Sequence, residues 1–172
     1  MSLPPIGMYA ACVLRKDDKI LTMARFEETK SHIQSIVRGL LVHGEEIILC
    51  RAKGADYFFL PGGHIEDGES ARTALLRELK EETGASNFES PSFIGVCENV
   101  FSQEEGIPQH EINIVMKVNV SLELKIESQE DHIEFVSIPR KDLKDYKILP
   151  ATLKAGLIEW FENAEPFFKE IV

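Results

Sequence analysis

Glu78, Glu81 and Glu82 stand at i, i+3 and i+4. On an α-helix that spacing puts all three carboxylates on one face, with their Cβ atoms close together. Three like charges on one stripe repel and destabilise the helix unless a cation binds there. Lys80 does not supply it, because residues two apart on a helix face different ways. A divalent metal is the natural neutraliser, and an all-oxygen donor set suits hard ions such as Mg²⁺ or Mn²⁺. Arg77 precedes the first carboxylate and could hold one of them in a bidentate pair. Upstream, Pro61-Gly62-Gly63 permits a tight turn and lets backbone carbonyls approach an ion. A metal ion held there could neutralise charge on an anionic substrate and ease deprotonation of a water. Glu81 or Glu82 could serve both as ligand and as neighbour of the base.

Other residues are candidates for substrate contact or proton transfer. Glu111 begins a strand beside a polar loop, Ser102–Gln109, that could act as a lid. Glu127, Glu130, Asp131 and Glu134 precede a strand ending in Phe135-Val136-Ser137. Most of these acids are expected to be ordinary surface charges, and for any single one that is the stronger reading. His64 and His110 could meet a substrate phosphate, although a lone histidine is more often a satisfied or solvated side chain. Arg51 and Lys53 end a strand and could contact phosphates or simply be solvated. Among Tyr57, Phe58 and Phe59, alternation sends about half inward. Phe58 or Phe59 suits the core, and Tyr57 could stack on a base.

These groups need a scaffold. Residues 8–15 and 19–26 look like short strands around Lys16-Asp17-Asp18. Residues 36–43 and 46–51 form a second such pair around Gly44-Glu45, and 55–60 read as an aromatic strand. Ser70 is an N-cap for a helix whose Ala71, Ala74, Leu75 and Leu79 form an apolar face. Gly84 is its C-cap. A helix with an apolar and an acidic face packs on a sheet and shows its carboxylates to a cleft. Ser92–Val100, Glu111–Leu122 and His132–Ile138 read as further strands. Residues 150–164 read as an amphipathic helix, which Pro166 interrupts or follows with a short final turn. The order is mixed α and β.

Composition narrows the class. The chain has 172 residues, 44% hydrophobic and 28% charged, as expected of one soluble globular domain. No apolar run approaches the ~20 residues that span a bilayer, so no membrane partner is expected. No N-terminal stretch reads as a secretory signal. The three cysteines, Cys12, Cys50 and Cys97, are widely spaced in apolar contexts, which favours reduced core thiols and a cytoplasmic location. A net charge of −10 argues against a nucleic-acid partner.

The stretch from Gly63 to Ala85 fits the Nudix box without a mismatch. Gly63 is followed after five residues by Glu69, and after seven more by Arg77-Glu78-Leu79. Glu81-Glu82 and Gly84-Ala85 complete it. The chain resembles a Nudix hydrolase. That resemblance implies an α/β/α sandwich around a mixed sheet, with residues 36–172 as the Nudix domain and 1–35 as an added N-terminal hairpin. The hairpin could support a homodimer. The resemblance also implies that the Gly62 carbonyl joins Glu78, Glu81 and Glu82 as metal ligands. Gly63 and Glu69 would support the loop–helix join, and Arg77 would orient the carboxylates. The segment holding Glu130 resembles the family's segment before its penultimate strand, which makes Glu130 the first choice for a downstream catalytic carboxylate, with Glu111, beside the expected lid, as its rival.

The expected activity is Mg²⁺-dependent hydrolysis of a small-molecule nucleoside diphosphate derivative, of the nucleoside triphosphate, ADP-ribose or nucleotide-sugar type. Signals outside the box that mark several substrate classes of the family are absent. The alternative is a Nudix-fold sensor that binds a nucleotide ligand without cleaving it. An isoprenoid diphosphate isomerase would need further Cys and Glu positions that the chain does not offer.

Overall fold

The computed structural model describes residues 15–16, 19–20, 33–102, 108–121 and 126–171. It separates into two compact units, Met1–Lys30 and Ser31–Val172. In the first unit, β1 (Arg15–Lys16) and β2 (Lys19–Ile20) pair antiparallel, with Lys16 opposite Lys19. The rest of the strands expected at 8–15 and 19–26 lies outside the described residues.

The second unit is built on a six-stranded mixed sheet. Its strands are β3 (Ile33–His43), β4 (Glu46–Ala52), β5 (Ser92–Ser102), β6 (Pro108–Asn119), β7 (Ile133–Pro139) and β8 (Phe167–Ile171). They lie in the order β7-β4-β3-β6-β5-β8. The β3–β6 and β5–β8 pairs are parallel, and the other neighbours are antiparallel. Two α-helices, α1 (Ala71–Thr83) and α2 (Ala151–Asn163), and a 3-10 helix, Arg140–Asp145, complete the described part of the unit.

Period-2 alternation sorts the central strands between two cores. Val37 and Leu41 of β3 and Ile48 of β4 pack with Ala74, Leu75 and Leu79 of α1. Leu40, Ile47 and Leu49 pack with Leu153 and Leu157 of α2. The result is the three-layer α/β/α arrangement. Strands buried on both faces are apolar almost throughout, which explains the run IVRGLL with its single charge at Arg38.

Local chemistry sets the ends of α1. The Thr73 N–H donates to Ser70 Oγ at 3.1 Å. Gly84 is left-handed at φ 70, and its N–H donates to the Lys80 carbonyl. Two expectations change. Residues 55–60 form no ladder; Phe59 bridges to Cys50 and Phe58 to Ile148. Two backbone bonds on each side hold this segment, with Phe58 buried and in edge contact with Tyr146. Past Pro166 the chain forms β8 beside β5, where a final turn was expected. Cys50 and Cys97 are free and buried, and burial pushes both thiols up, Cys97 to about 12. None of the helices among the described residues is long and apolar enough to cross a membrane.

Candidate active site

The glycine turn is placed by an opening in the sheet. β4 pairs with β3 only at Leu41–His43. The rest of that β3 edge is taken by the turn itself. Val37 N–H donates to the Gly63 carbonyl, Gly39 N–H to the Pro61 carbonyl, and Ile65 N–H to the Ser35 carbonyl, each at 2.9 Å. Gly62 sits at φ +121, and a Cβ there would lie 2.2 Å from the Val37 carbonyl oxygen. Both facts require glycine. At Gly63 a Cβ would lie 2.5 Å from the Glu78 carboxylate, so the acidic face of α1 rests directly on the turn.

Glu82 is half-buried, and its carboxylate accepts the Gly62 N–H at 3.2 Å. Burial pushes its carboxyl up to about 7. The charges of Glu78 and Glu130 push the same way, while the Gly62 N–H and Arg38 oppose. Glu78 is half-buried and Glu81 is exposed. Arg77 binds Glu69 through two parallel bonds of 3.1 and 2.9 Å, and this holds the Glu69 carboxyl below the usual range. Its Nη1 reaches Glu78 at 2.8 Å and Glu81 at 3.4 Å. Its Nη2 also donates to the His64 carbonyl at 3.1 Å. The bonds to Glu69, then to Glu78, raise the arginine's own pKa.

Among the described residues no three His, Cys, Asp or Glu side chains converge on one point. One cationic nitrogen nevertheless lies within reach of both Glu78 and Glu81, so these carboxylates can share a cation. Glu82 lies next to them, poorly solvated among like charges. The donor set is oxygen only. Its chemistry fits a hard divalent ion.

Arg38 belongs to this site, and sequence reasoning passed over it as part of an apolar strand. Its Nη1 donates to the Gly62 carbonyl at 2.7 Å and to the Leu60 carbonyl at 3.4 Å. Its Nε donates to Asn113 Oδ1 at 3.3 Å. Burial lowers its pKa, and Glu111, then Glu82, oppose that shift. Asn113 is 1% exposed and donates from Nδ2 to Glu111 at 3.4 Å. The available signal was a lone arginine in a strand otherwise buried on both faces, where a charge needs partners.

The remaining candidates fall in several places. Glu130 lies on the segment before β7, which is fastened to α1 by a bond from the Gln129 N–H to the Glu82 carbonyl at 2.8 Å. Glu130 is exposed, 3.3 Å from His132 Nε2, and its charge is felt at Glu82. Glu111, on β6, is joined to Arg38 through Asn113, which bonds both. Arg51 pairs with Glu134 at 2.7 Å across β4 and β7 and lies over the Phe58 ring. Tyr57 is half-buried, with Lys147 over its ring. His64 is exposed, and its Nε2 lies 2.9 Å from Gln34 Oε1. His110 pairs with Glu98 at 2.6 Å. Residues 103–107 of the expected lid lie outside the described residues.

Comparison with known proteins gives a consistent assignment. A family model described as NUDIX domain matches residues 6–163, and so takes in part of the stretch before residue 36. The ADP-ribose pyrophosphatase of Methanocaldococcus jannaschii is 32% identical over 128 residues, covering 67% of this chain and 73% of that protein. A putative 8-oxo-dGTP diphosphatase of Bacillus subtilis is 38% identical over 66 residues, 38% of this chain and 44% of its own length. Among solved structures, the mutator MutT protein of Bacillus halodurans superposes with a TM-score of 0.67 at 19% identity, covering 81% of this chain and 91% of that one. That likeness concerns the fold. The box, the α/β/α sheet and the family match agree, and the chain belongs to the Nudix family as a Nudix hydrolase.

Proposed function

We propose that the chain is a pyrophosphohydrolase dependent on Mg²⁺ or Mn²⁺, acting on a nucleoside diphosphate linked to a further group. The observation that carries this reading is the seat of Glu78 and Glu82 against the Gly62-Gly63 turn, with one cationic nitrogen shared by Glu78 and Glu81. Glu78, Glu81, Glu82 and the Gly62 carbonyl would hold the metal. A divalent ion at that place supplies charge neutralisation on the diphosphate and an easier deprotonation of water.

The chain's own groups do the rest. Arg77, tied to Glu69, fixes the carboxylates of Glu78 and Glu81. Glu130 takes one proton from the attacking water, from a segment fastened to the end of α1. The water oxygen bonds to one phosphorus as the anhydride P–O bond breaks, and the other phosphate leaves with the electron pair. The names of the M. jannaschii and B. subtilis relatives make ADP-ribose and 8-oxo-dGTP reasonable first compounds to try.

The test is a panel of nucleoside diphosphate derivatives with and without Mg²⁺, read as phosphate release after coupling to a phosphatase. Wild-type protein is expected to turn over at least one compound only with metal. Glu81→Gln and Glu82→Gln should each lose on the order of 10²-fold or more in rate. Turnover that ignores the metal or both substitutions refutes the assignment. A compound that raises the melting temperature without being cleaved would favour the sensor.

A further inference from the structure

Arg38 has no part in the reaction as written, yet it is bonded to the very oxygen assigned to the metal. Its Nη1–Gly62 O contact of 2.7 Å is the shortest it makes. The guanidinium is fastened from behind by the buried Asn113 and drawn by the charge of Glu111. Arginine cannot escape the conflict by losing its proton. A divalent ion at the Gly62 carbonyl therefore meets a fixed positive charge that already uses that oxygen. In a partly dry site such repulsion is strong. A diphosphate changes the balance, because its negative oxygens can satisfy the ion and the guanidinium together.

We propose that Arg38 couples metal loading to substrate. It keeps the Gly62 carbonyl from holding a divalent ion tightly until an anionic diphosphate arrives, and Asn113, itself bonded to Glu111, acts as its anchor. Arg38 is thus a positioning residue with an antagonistic sign: without it, the metal-free site binds metal more strongly. The inference rests on reading Gly62, Glu78, Glu81 and Glu82 as metal ligands. By linkage, diphosphate and metal must then strengthen one another's binding by the same factor.

The experiment is a Mn²⁺ titration followed by the electron paramagnetic resonance of the free ion. It is run with and without methylenediphosphonate and corrected for the Mn²⁺ which that compound binds alone. For wild type, methylenediphosphonate should tighten Mn²⁺ binding about tenfold. Arg38→Gln should bind Mn²⁺ alone about tenfold tighter than wild type and gain little from methylenediphosphonate. Arg38→Lys keeps the charge and should stay near wild type. If Arg38→Gln does not melt cooperatively, Arg38→Met, an apolar chain of similar length, takes its place.

A merely structural arginine would lower the melting temperature and leave Mn²⁺ affinity equal or weaker; that result overturns the proposal. So does wild-type binding that is indifferent to methylenediphosphonate. Glu82→Gln separates the two levels. If it binds Mn²⁺ as wild type does, the ligand assignment fails and takes this inference with it. If it loses Mn²⁺ while Arg38→Gln changes nothing, only the coupling fails.

Discussion

At Gly62 two demands fall on one residue. Its backbone must take φ +121, and its α-carbon must lie against the Val37 carbonyl, where a Cβ would come within 2.2 Å. The clashing atom is backbone on a central strand, so no side chain can swing aside. Gly62→Ala is expected to cost about 1–3 kcal/mol from the backbone strain alone. It should also lift the turn off β3 and away from Glu82. Urea denaturation of the metal-free protein, with the proposed metal-dependent turnover alongside, checks both. A variant as stable and active as wild type would mean that the turn does not need this contact. Arg38, one residue along from Val37, shows the limit of residue-by-residue reading. Nothing in its sequence neighbours indicates that its partners are Gly62 and Asn113, residues 24 and 75 positions away.

At the scale of the element, α1 carries its acids in an unfavourable place. Glu78, Glu81 and Glu82 lie in its last two turns, where the helix dipole is already negative. The helix is kept by its caps, by the tie between Arg77 and Glu69, and by burial of Ala74, Leu75 and Leu79. Ser70→Ala removes the bond to the Thr73 N–H and should lower stability by about 1 kcal/mol, measured by thermal or urea unfolding without metal. No change would show that water or Thr73 replaces the cap. The caps, the apolar face and the acidic face of α1 could all be read from the sequence, because each depends on neighbours within four residues. Residues 55–60 could not. Their aromatic pattern suits a strand, but the partners available, near Cys50 and Ile148, allow only isolated bridges.

At the scale of the molecule, β8 closes the sheet. Phe167, its first residue, is 4% exposed and fills the space between β5 and α2. A Cβ at Gly95 would lie 2.6 Å from its ring, and one at Gly156 2.3 Å. Gly156→Ala should therefore overpack this contact and cost about 1–3 kcal/mol in urea unfolding. Adding Phe167→Leu should recover part of that loss, since the two changes share one space. Additive losses would mean that α2 and β8 are not packed through this ring. The strand escaped sequence reading for a physical reason. It is five residues long and pairs with β5 from some seventy residues earlier. The two glycines that admit Phe167 lie 61 residues apart in the chain, on different elements.

By itself the sequence determined whatever depends on short-range geometry. Helical spacing put Glu78, Glu81 and Glu82 on one face. Capping residues bounded α1, and alternation marked strands buried on one or both sides. The pattern from Gly63 to Ala85 carried the family. Tertiary structure alone decided what those carboxylates face. The register of β3 leaves an edge open for the Pro61–Ile65 backbone, and that brings Gly62 to Glu82 and to Arg38. The bond from Gln129 to the end of α1 likewise brings Glu130 close to that helix, and the β3–β6 pairing joins Glu111 to Arg38 through Asn113. Such contacts arise only when strands distant in the chain pair in one particular register, and no local pattern encodes that choice.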